Sequence, residues 1–167
     1  MDSRLRMIFA RRSIRSYTGQ SISEKDIHSL LEAGMAAPSA NNHRPWQFVV
    51  VSSKDTLHKL AEMHPYGKML ETAALAIAVC ADPSASDWWV QDCAAATENI
   101  LIAAAGLGLG AVWVGCYGRP PRENGVRAIL GIPESLGVLS LISLGHPAEH
   151  EEPRTQYEEA RVRRERY

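Results

Sequence analysis

The stretch WWVQDCAAATENILIAAAGLGLGAVWVGCY, from Trp88 to Tyr117, decides the fold of this chain. Its first part, Trp88 to Leu109, contains no proline, is dense in alanine and carries apolar residues on nearly every face of a helix. This pattern predicts a central, buried helix. Its second part, Ala111 to Tyr117, is β-branched and aromatic and predicts a strand. We therefore expect a domain in which helices and strands pack together.

The segments on either side of this stretch also alternate between helix and strand. Helices are predicted over Asp2–Ala10, from the capping box Ser23–Asp26 to Pro38, around Leu57–Ala61, and over Val126–Leu130. Strands are predicted over Trp46–Val51, Ala74–Cys80 and Val138–Leu144. Residues 1–167 thus form a single mixed α/β domain without an internal repeat or linker. The charged tail, residues 149–167, has no core of its own, and we expect it to dock on the partner subunit.

Composition narrows the class of protein. The chain has 167 residues, of which 46% are hydrophobic and 22% charged, as in ordinary globular domains. Its formal net charge of −1 gives no reason to expect a nucleic acid or an anionic membrane as partner. Three cysteines cannot close a disulfide framework, which fits a reducing, cytoplasmic setting. Without a signal-like or membrane-spanning apolar run, we expect neither secretion nor insertion.

A cluster near the N-terminus is equipped to bind an anion. Arg11, Arg12, Ser13 and Arg15 offer several guanidinium forks, a hydroxyl and turn amides within five residues. This is what a phosphate monoester dianion needs. Taken alone, the same pattern also fits a solvated, arginine-rich surface turn, so both interpretations stay open.

A polar loop, Ala37-Pro38-Ser39-Ala40-Asn41-Asn42-His43-Arg44-Pro45-Trp46, joins a predicted helix to a predicted strand. Its small and amide residues allow backbone groups to approach a planar heterocycle. Together with the arginine cluster, this loop resembles the FMN-dependent nitroreductases. Their hallmark is an arginine-serine cluster near the N-terminus, followed by Pro-Ser, a short gap, Asn, two residues and Pro-Trp.

The resemblance covers nearly the whole chain. It continues through Tyr66–Leu70, Ala76–Asp82, Gln91–Asn99, Ala103–Trp113, Gly131–Glu134 and Leu144–Pro147. It implies an α+β fold of the nitroreductase kind, with a mixed, mainly antiparallel sheet flanked by helices. It also implies an intertwined homodimer that holds one FMN in each interface site.

The resemblance assigns cofactor-binding roles to specific positions. The residues implied to bind the ribityl phosphate are Arg11, Arg12, Ser13 and Arg15, completed by Arg154 near the C-terminus. Those implied to contact the flavin from the other subunit are Pro38, Ser39, Ala40 and Asn42. The segment implied to run along the isoalloxazine, with an amide at N5, is Trp113, Val114, Gly115 and Cys116. Gln156 replaces a second basic residue common in the family, and Arg44 stands where glutamine is common.

The activity implied by the resemblance is transfer of a hydride from NADH or NADPH through flavin N5 to an electron-poor acceptor. The acceptor is of the nitroaromatic or quinone type and the scheme is ping-pong. No side chain is expected to act as a general acid or base. Two alternatives remain: related flavin chemistry, such as reductive dehalogenation or flavin breakdown, and a non-catalytic module that binds flavin or another phosphate ligand.

Two further motifs are interpreted as structural. Gly106–Gly110 contains the glycines of a dinucleotide loop, but it closes a helix instead of opening one, so we predict a turn. His146–His150 matches an inverted zinc-protease motif, but Pro147 opposes the helix that this motif requires, and no metal site is expected. The remaining histidines are predicted to be surface residues. Cys116 is predicted to be an inert, packed thiol.

Overall fold

Five α-helices and four strands make up residues 2–167, the part of the chain that the computed structural model describes. The helices are α1 (Arg6–Ala10), α2 (Glu24–Met35), α3 (Lys54–Met63), α4 (Trp89–Gly106) and α5 (Pro120–Leu130). The strands are β1 (Trp46–Val51), β2 (Leu75–Ala81), β3 (Gly110–Gly115) and β4 (Gly137–Gly145). The fold is α+β, as predicted.

The strands form one sheet in the order β1-β2-β4-β3, and every neighbouring pair is antiparallel. One parallel bridge, from Ser13 to Ala111, adds the segment after α1 to the outer side of β3. The sheet is therefore mainly antiparallel, as expected. The strands β1 and β3 are the two edges of the sheet. The loop before β1 and the last residues of β3 therefore lie on opposite sides of the molecule.

Successive side chains of each strand point to opposite faces of the sheet, so the core has two layers. One side of the sheet packs against α2 and α4, with Ile77 and Ile100 among the fully buried residues. The other side packs against α3 and α5, with Leu60 and Val126 fully buried. Burying an aliphatic side chain of this size contributes about 1.5–3 kcal/mol. The period-2 pattern of the strands thus places helices on both faces of the sheet.

The helix boundaries follow local signals, and the largest difference from the prediction is at the start of α5. α2 begins after Ser23, whose Oγ accepts from Asp26 N at 3.1 Å, as the capping box predicts. α5 begins at Pro120, six residues before the predicted start at Val126. Proline is tolerated in the first helical turn, where its missing N–H would have no partner in any case. The two prolines therefore open this helix and do not exclude it.

The central helix α4 is less completely buried than predicted. It buries Cys93, Ala96, Ile100 and Ala104 against the sheet and α2. Its outer face, however, borders an apolar groove of about 500 Å³, lined by Met7, Ser29, Ala33, Ala36, Asn99, Ile102, Ala103, Gly106 and Leu107. A single chain therefore leaves part of this apolar helix uncovered.

The two motifs interpreted as structural behave as predicted. Gly106–Gly110 is the turn between α4 and β3, with Gly108 at a φ of +73°. His146–His150 is not helical: His146 Nε2 lies 3.3 Å from Ser21 O, and His150 Nε2 lies 3.0 Å from Glu152 Oε1. Within residues 2–167, no set of three or more His, Cys, Asp or Glu side chains is grouped as a metal site would require. Nor does any helix in that range have the length and apolar character to cross a bilayer.

Candidate functional site

Half of the backbone groups of β3 face outward, because this strand is an edge of the sheet. Hydrogen-bonded and non-hydrogen-bonded pairs alternate along an antiparallel ladder. Cys116 N donates to Leu139 O at 3.0 Å, so the neighbouring Gly115 points its N–H and C=O away from β4. Ala111 faces the same way, since its carbonyl accepts from Ile14 N at 3.0 Å. Within residues 2–167 the Gly115 N–H has no partner, and it can donate to a ligand.

Side chains from two other elements converge on Gly115. His64, which follows α3, has its Nε2 3.0 Å from Gly115 O, while its Nδ1 accepts from Tyr66 N at 3.1 Å. The proton of the neutral ring must therefore lie on Nε2, which donates to Gly115. Arg122 on α5 donates to the same carbonyl at 3.3 Å and stacks over the Tyr66 ring, 5.2 Å from its centre. The outward-facing end of β3 is thus held by two donors.

An open cavity of about 220 Å³ lies at this place. Its lining residues are Arg15, His64, Tyr66, Met69, Val112, Trp113, Val114, Gly115 and Arg122. The structure therefore brings one member of the arginine cluster together with most of the predicted flavin segment. A β-carbon built on Gly115 would meet nothing within 4 Å, so a planar group can approach the backbone there.

The prediction that the remaining histidines lie on the surface is wrong for His64. This residue is 2% exposed, whereas His28, His43 and His58 are exposed. Burial lowers the His64 pKa, and the positive charge of Arg122 acts in the same direction, against the opposing effect of the hydrogen bond to Gly115. The ring is therefore neutral at pH 7, in keeping with its acceptor role at Nδ1.

Arg15 and Lys68 provide positive charge beside the cavity. Both line a neighbouring cavity of about 340 Å³, together with Met69, Glu71 and Thr72. Neither cation takes part in an ion pair within residues 2–167. The backbone N–H groups of Arg15 and Ser16 both donate to Glu149 Oε1, at 2.6 and 3.1 Å. The turn after Ile14 is therefore already suited to an anionic oxygen.

The other two arginines of the N-terminal cluster, Arg11 and Arg12, are paired within the chain. Arg11 Nε lies 3.0 Å from Glu98 Oε1 on α4. Arg12 pairs with Glu151 at 2.6 Å and also donates to the Glu152 carbonyl, while its buried Nε has no partner. The acidic start of the tail thus lies on the arginine cluster.

Ser13 and Arg154 lie near these arginines, and each makes a backbone contact to a different element. Ser13 is exposed and forms the bridge to β3. Arg154 is exposed and its backbone N–H donates to Phe9 O at 3.0 Å, which places the tail beside the end of α1. The backbone of Arg154 therefore lies beside the helix that leads into the N-terminal cluster.

The polar loop before β1 is fixed by a buried carboxylate. Asp92, in the first turn of α4, accepts from Ala40 N at 2.9 Å and from Ser86 Oγ at 2.8 Å. Ser39 Oγ accepts from Arg44 N at 2.9 Å, and Asn41, Asn42 and Arg44 have positive φ values of 49°, 57° and 50°. This is an ordered, tightly turned loop, and Pro38 at its start is exposed.

This loop and Gly115 lie at the same end of the sheet but at opposite edges. Trp46 pairs with Ala81, Ala81 with Gly137, and Gly115 with Ser140, so all belong to one end. Three strand spacings of about 4.8 Å separate the two edges by roughly 14 Å. Within one chain, the loop therefore does not join the cavity at Gly115.

Cys116 lies behind the cavity. Its side chain is fully buried, and burial raises its pKa to about 12. Like Cys80 and Cys93, it is a free, buried thiol. The prediction of a packed, inert cysteine is supported, and any contact of Cys116 with a ligand must involve its backbone.

Several residues of the site had no predicted role. His64 and Lys68 both follow α3, whereas Asp92 and Arg122 lie far from them in sequence, in the first turns of α4 and α5. Lys68 and Asp92 fall within stretches that resemble the family, and this is the signal that pointed toward them. Nothing in the local pattern around His64 or Arg122 distinguishes them from surface residues.

Comparisons with known proteins agree on one family. The model of the Nitroreductase family matches residues 8–65 and 61–146. A protein of Archaeoglobus fulgidus, provisionally named NADH dehydrogenase/NAD(P)H nitroreductase, is 47% identical over 174 residues, covering 100% of both chains. A crystal structure from Bacteroides thetaiotaomicron with the same provisional name has a TM-score of 0.97 and 41% identity, covering 100% of this chain and 99% of that one. A provisionally named nitroreductase from Desulfovibrio desulfuricans, solved in complex with FMN, has a TM-score of 0.83 and 31% identity, covering 100% and 99%.

Proposed function

This chain belongs to the nitroreductase family, and from that premise we propose that it is an FMN-dependent oxidoreductase that takes hydride from NADH or NADPH. The observation that carries the proposal is the unpaired Gly115 N–H on the free edge of β3. It opens into a cavity that Arg15 also lines. A hydrogen-bond donor beside a cation, next to open space, suits a flavin ring that must accept negative charge.

The residues present fit FMN at both of its ends. At the ring, Gly115 leaves space against the backbone that a β-carbon would fill. At the phosphate, Arg12 keeps a buried Nε without a partner, and the amides of Arg15 and Ser16 already bind a carboxylate oxygen. A phosphate dianion would therefore compete with Glu149 for donors suited to an anion. The residues we propose for the phosphate are Arg11, Arg12, Ser13, Arg15 and Arg154.

When bound, FMN supplies the hydride chemistry through N5. The protein's own residues would bind and orient it: the arginine cluster and Arg154 would hold the phosphate, and the segment Trp113–Cys116 would contact the ring. We assign no side chain as general acid or base. The pKa values of Tyr17 and Cys116 are raised to about 12, chiefly by burial, so neither group is suited to proton transfer near neutral pH.

An electron-poor acceptor, of the nitroaromatic or quinone type, is proposed to receive the electrons. We propose that both substrates use the open cavity at Gly115 in turn, so that the nicotinamide leaves before the acceptor enters. This arrangement supports a ping-pong scheme.

We propose a homodimer, because the uncovered face of α4 and the position of the polar loop both call for a second copy. The groove along α4 is apolar, and Met7, Ile8 and Leu107 beside it are 52%, 52% and 42% exposed. Large exposed apolar patches of this kind mark interfaces. Since the loop Pro38–Asn42 lies at the opposite edge from Gly115, its flavin contacts, through Pro38, Ser39, Ala40 and Asn42, are proposed to be made across the dimer.

The tail supports the same assembly. Residues 149–167 are exposed throughout, including Tyr157, Val162 and Tyr167. Side chains of this size and apolar character in an exposed tail are readily explained by docking on the partner subunit. The three buried, unpaired thiols fit a reducing cytoplasm, which is the location we propose.

The decisive experiment is anaerobic reduction of the FMN-loaded protein. We expect one FMN per chain and bleaching of the oxidised-flavin absorbance on addition of NADH or NADPH. A quinone or nitroaromatic should then reoxidise the flavin. Parallel initial-rate lines in a two-substrate experiment support ping-pong. A holoprotein that neither nicotinamide reduces would instead be a non-catalytic flavin-binding module.

A further inference from the structure

The backbone at the end of β3 is held by the ladder with β4 on one side and by side chains from outside the strand on the other. Gly115 is the last residue of β3, and no atom lies within 4 Å of where its β-carbon would be. Glycine has more conformational freedom than any other residue, so a glycine without side-chain packing is held only through its hydrogen bonds. Within residues 2–167 its N–H has no partner, so the bonds that Gly115 itself makes are those that its carbonyl accepts from His64 and Arg122.

His64 is a rigid support for that carbonyl. The ring is almost completely buried and both of its nitrogens are engaged, one with Gly115 O and one with Tyr66 N. Its backbone is also tied on both sides, through His64 N to Leu60 O at 3.1 Å and Gly67 N to His64 O at 2.8 Å. Arg122 gives a second, longer contact to the same carbonyl at 3.3 Å, from a half-buried side chain.

We propose that His64 is a positioning residue, which holds the Gly115 carbonyl, with support from Arg122, so that the Gly115 N–H is presented to the flavin ring. The inference rests on the proposed function, because it takes FMN as the ligand at this edge. His64 does not touch the ring itself. It holds the Gly115–Cys116 peptide, which is joined to the Gly115 N–H through the Gly115 Cα, and its effect is on the direction of that donor.

The two oxidation states of the flavin respond differently to such a donor. N5 of the oxidised ring is a hydrogen-bond acceptor, whereas N5 of the fully reduced ring carries a proton. A well-directed N–H at N5 therefore favours the oxidised form. If the donor is released, oxidised FMN should lose more affinity than reduced FMN, and the midpoint potential of the bound flavin should rise.

The test compares His64→Leu with His64→Gln and Arg122→Met, and uses His58→Leu as the matched control on the exposed side of α3. We expect His64→Leu to weaken oxidised FMN about tenfold more than reduced FMN, which corresponds to a rise of about 30 mV for a two-electron couple. His64→Gln retains an N–H donor and should restore most of the wild-type potential. Arg122→Met should give a smaller rise, and His58→Leu none. The potential is measured by dithionite titration, which does not depend on either nicotinamide.

A purely structural role for His64 would weaken both oxidation states equally and leave the potential unchanged, and that result would overturn the proposal. If His64→Leu does not fold, Arg122→Met decides: an unchanged potential in this variant, with weaker FMN binding, also overturns it. If the potential shifts as expected but wild-type holoprotein is not reduced by NADH or NADPH, the proposed activity fails while the positioning role stands.

A second measurement needs no flavin. The Cys116 N–H belongs to the same peptide as the Gly115 carbonyl and donates to Leu139 O. Releasing that carbonyl should speed hydrogen exchange at Cys116 by roughly tenfold in His64→Leu, while Val114, inside the ladder with Leu141, keeps its rate. Equal exchange at Cys116 in wild type and variant would show that His64 does not hold this peptide.

Discussion

Gly115→Ala separates the stability of the fold from its capacity to bind flavin. Gly115 is not in the left-handed region, and a β-carbon there would meet no atom within 4 Å. Alanine therefore fits without strain and reduces the entropy of the unfolded chain. We expect the free energy of unfolding of the apoprotein to rise by about 0.4–1 kcal/mol in urea denaturation.

The same methyl group occupies the space through which a flavin ring would approach the backbone. Forcing a methyl into a close-packed contact costs about 1–3 kcal/mol. The dissociation constant for FMN should therefore rise roughly fivefold to 150-fold, measured by quenching of free-flavin fluorescence. The fold becomes more stable and the cofactor binds less tightly.

Gly131→Ala is the matched control, since its β-carbon also meets no atom within 4 Å but its φ is +66°. That substitution should cost roughly 1–2 kcal/mol of stability and leave FMN affinity unchanged. Wild-type FMN affinity in Gly115→Ala would refute the placement of the flavin against the end of β3. A loss of stability in the apoprotein would refute the account of the local backbone.

Four further measurements test the positive charge of Arg15, the apolar groove along α4, the three buried thiols and the buried His64. Arg15→Glu should weaken FMN binding by about tenfold or more and change the free energy of unfolding by less than about 0.5 kcal/mol. Arg4→Glu, at another exposed arginine, is the control and should change neither quantity. Ala103→Glu, in the apolar groove, should convert the dimer to a monomer in sedimentation, unlike Ala85→Glu at an exposed site. The three cysteines have pKa values raised to about 11 or 12, chiefly by burial, so a thiol reagent at pH 8 should label all three only after denaturation. Folding lowers the pKa of His64, so the contribution of this residue to the free energy of unfolding is complete above its unfolded-state pKa. That contribution falls as the pH drops below the unfolded-state pKa, by at most about 1.4 kcal/mol per pH unit. His64→Gln should remove this part of the pH dependence of stability.

Local patterns predicted most of the elements, because short-range physics determines them. The strand Trp46–Val51 has the predicted bounds, and the capping box places the start of α2. The start of α5 was predicted six residues late, because this helix begins at two prolines, which a helix tolerates in its first turn. Patterns of this kind locate an element more reliably than its first residue.

The candidate site was predictable where it consists of consecutive residues. The arginine cluster and the segment Trp113–Cys116 each stand in one short stretch, and the resemblance to the family joined them. The pairing of Arg12 with Glu151 could not be predicted, because it depends on how the tail lies across α1. The burial of His64 could not be predicted either, since a single histidine after a helix has no periodicity.

The sequence by itself determined which segments are helices, which are strands, and which family the chain resembles, because periodicity, capping and motifs are local properties. Only the tertiary structure decided that the stretch from Trp88 to Tyr117 ends in an edge strand with an outward-facing Gly115. Strand order sets which backbone groups remain unpaired, and it depends on contacts between residues far apart in the chain. The direction of the Gly115 N–H, and the contact of His64 with the carbonyl of the same residue, follow from that order and not from any pattern in the residues around them.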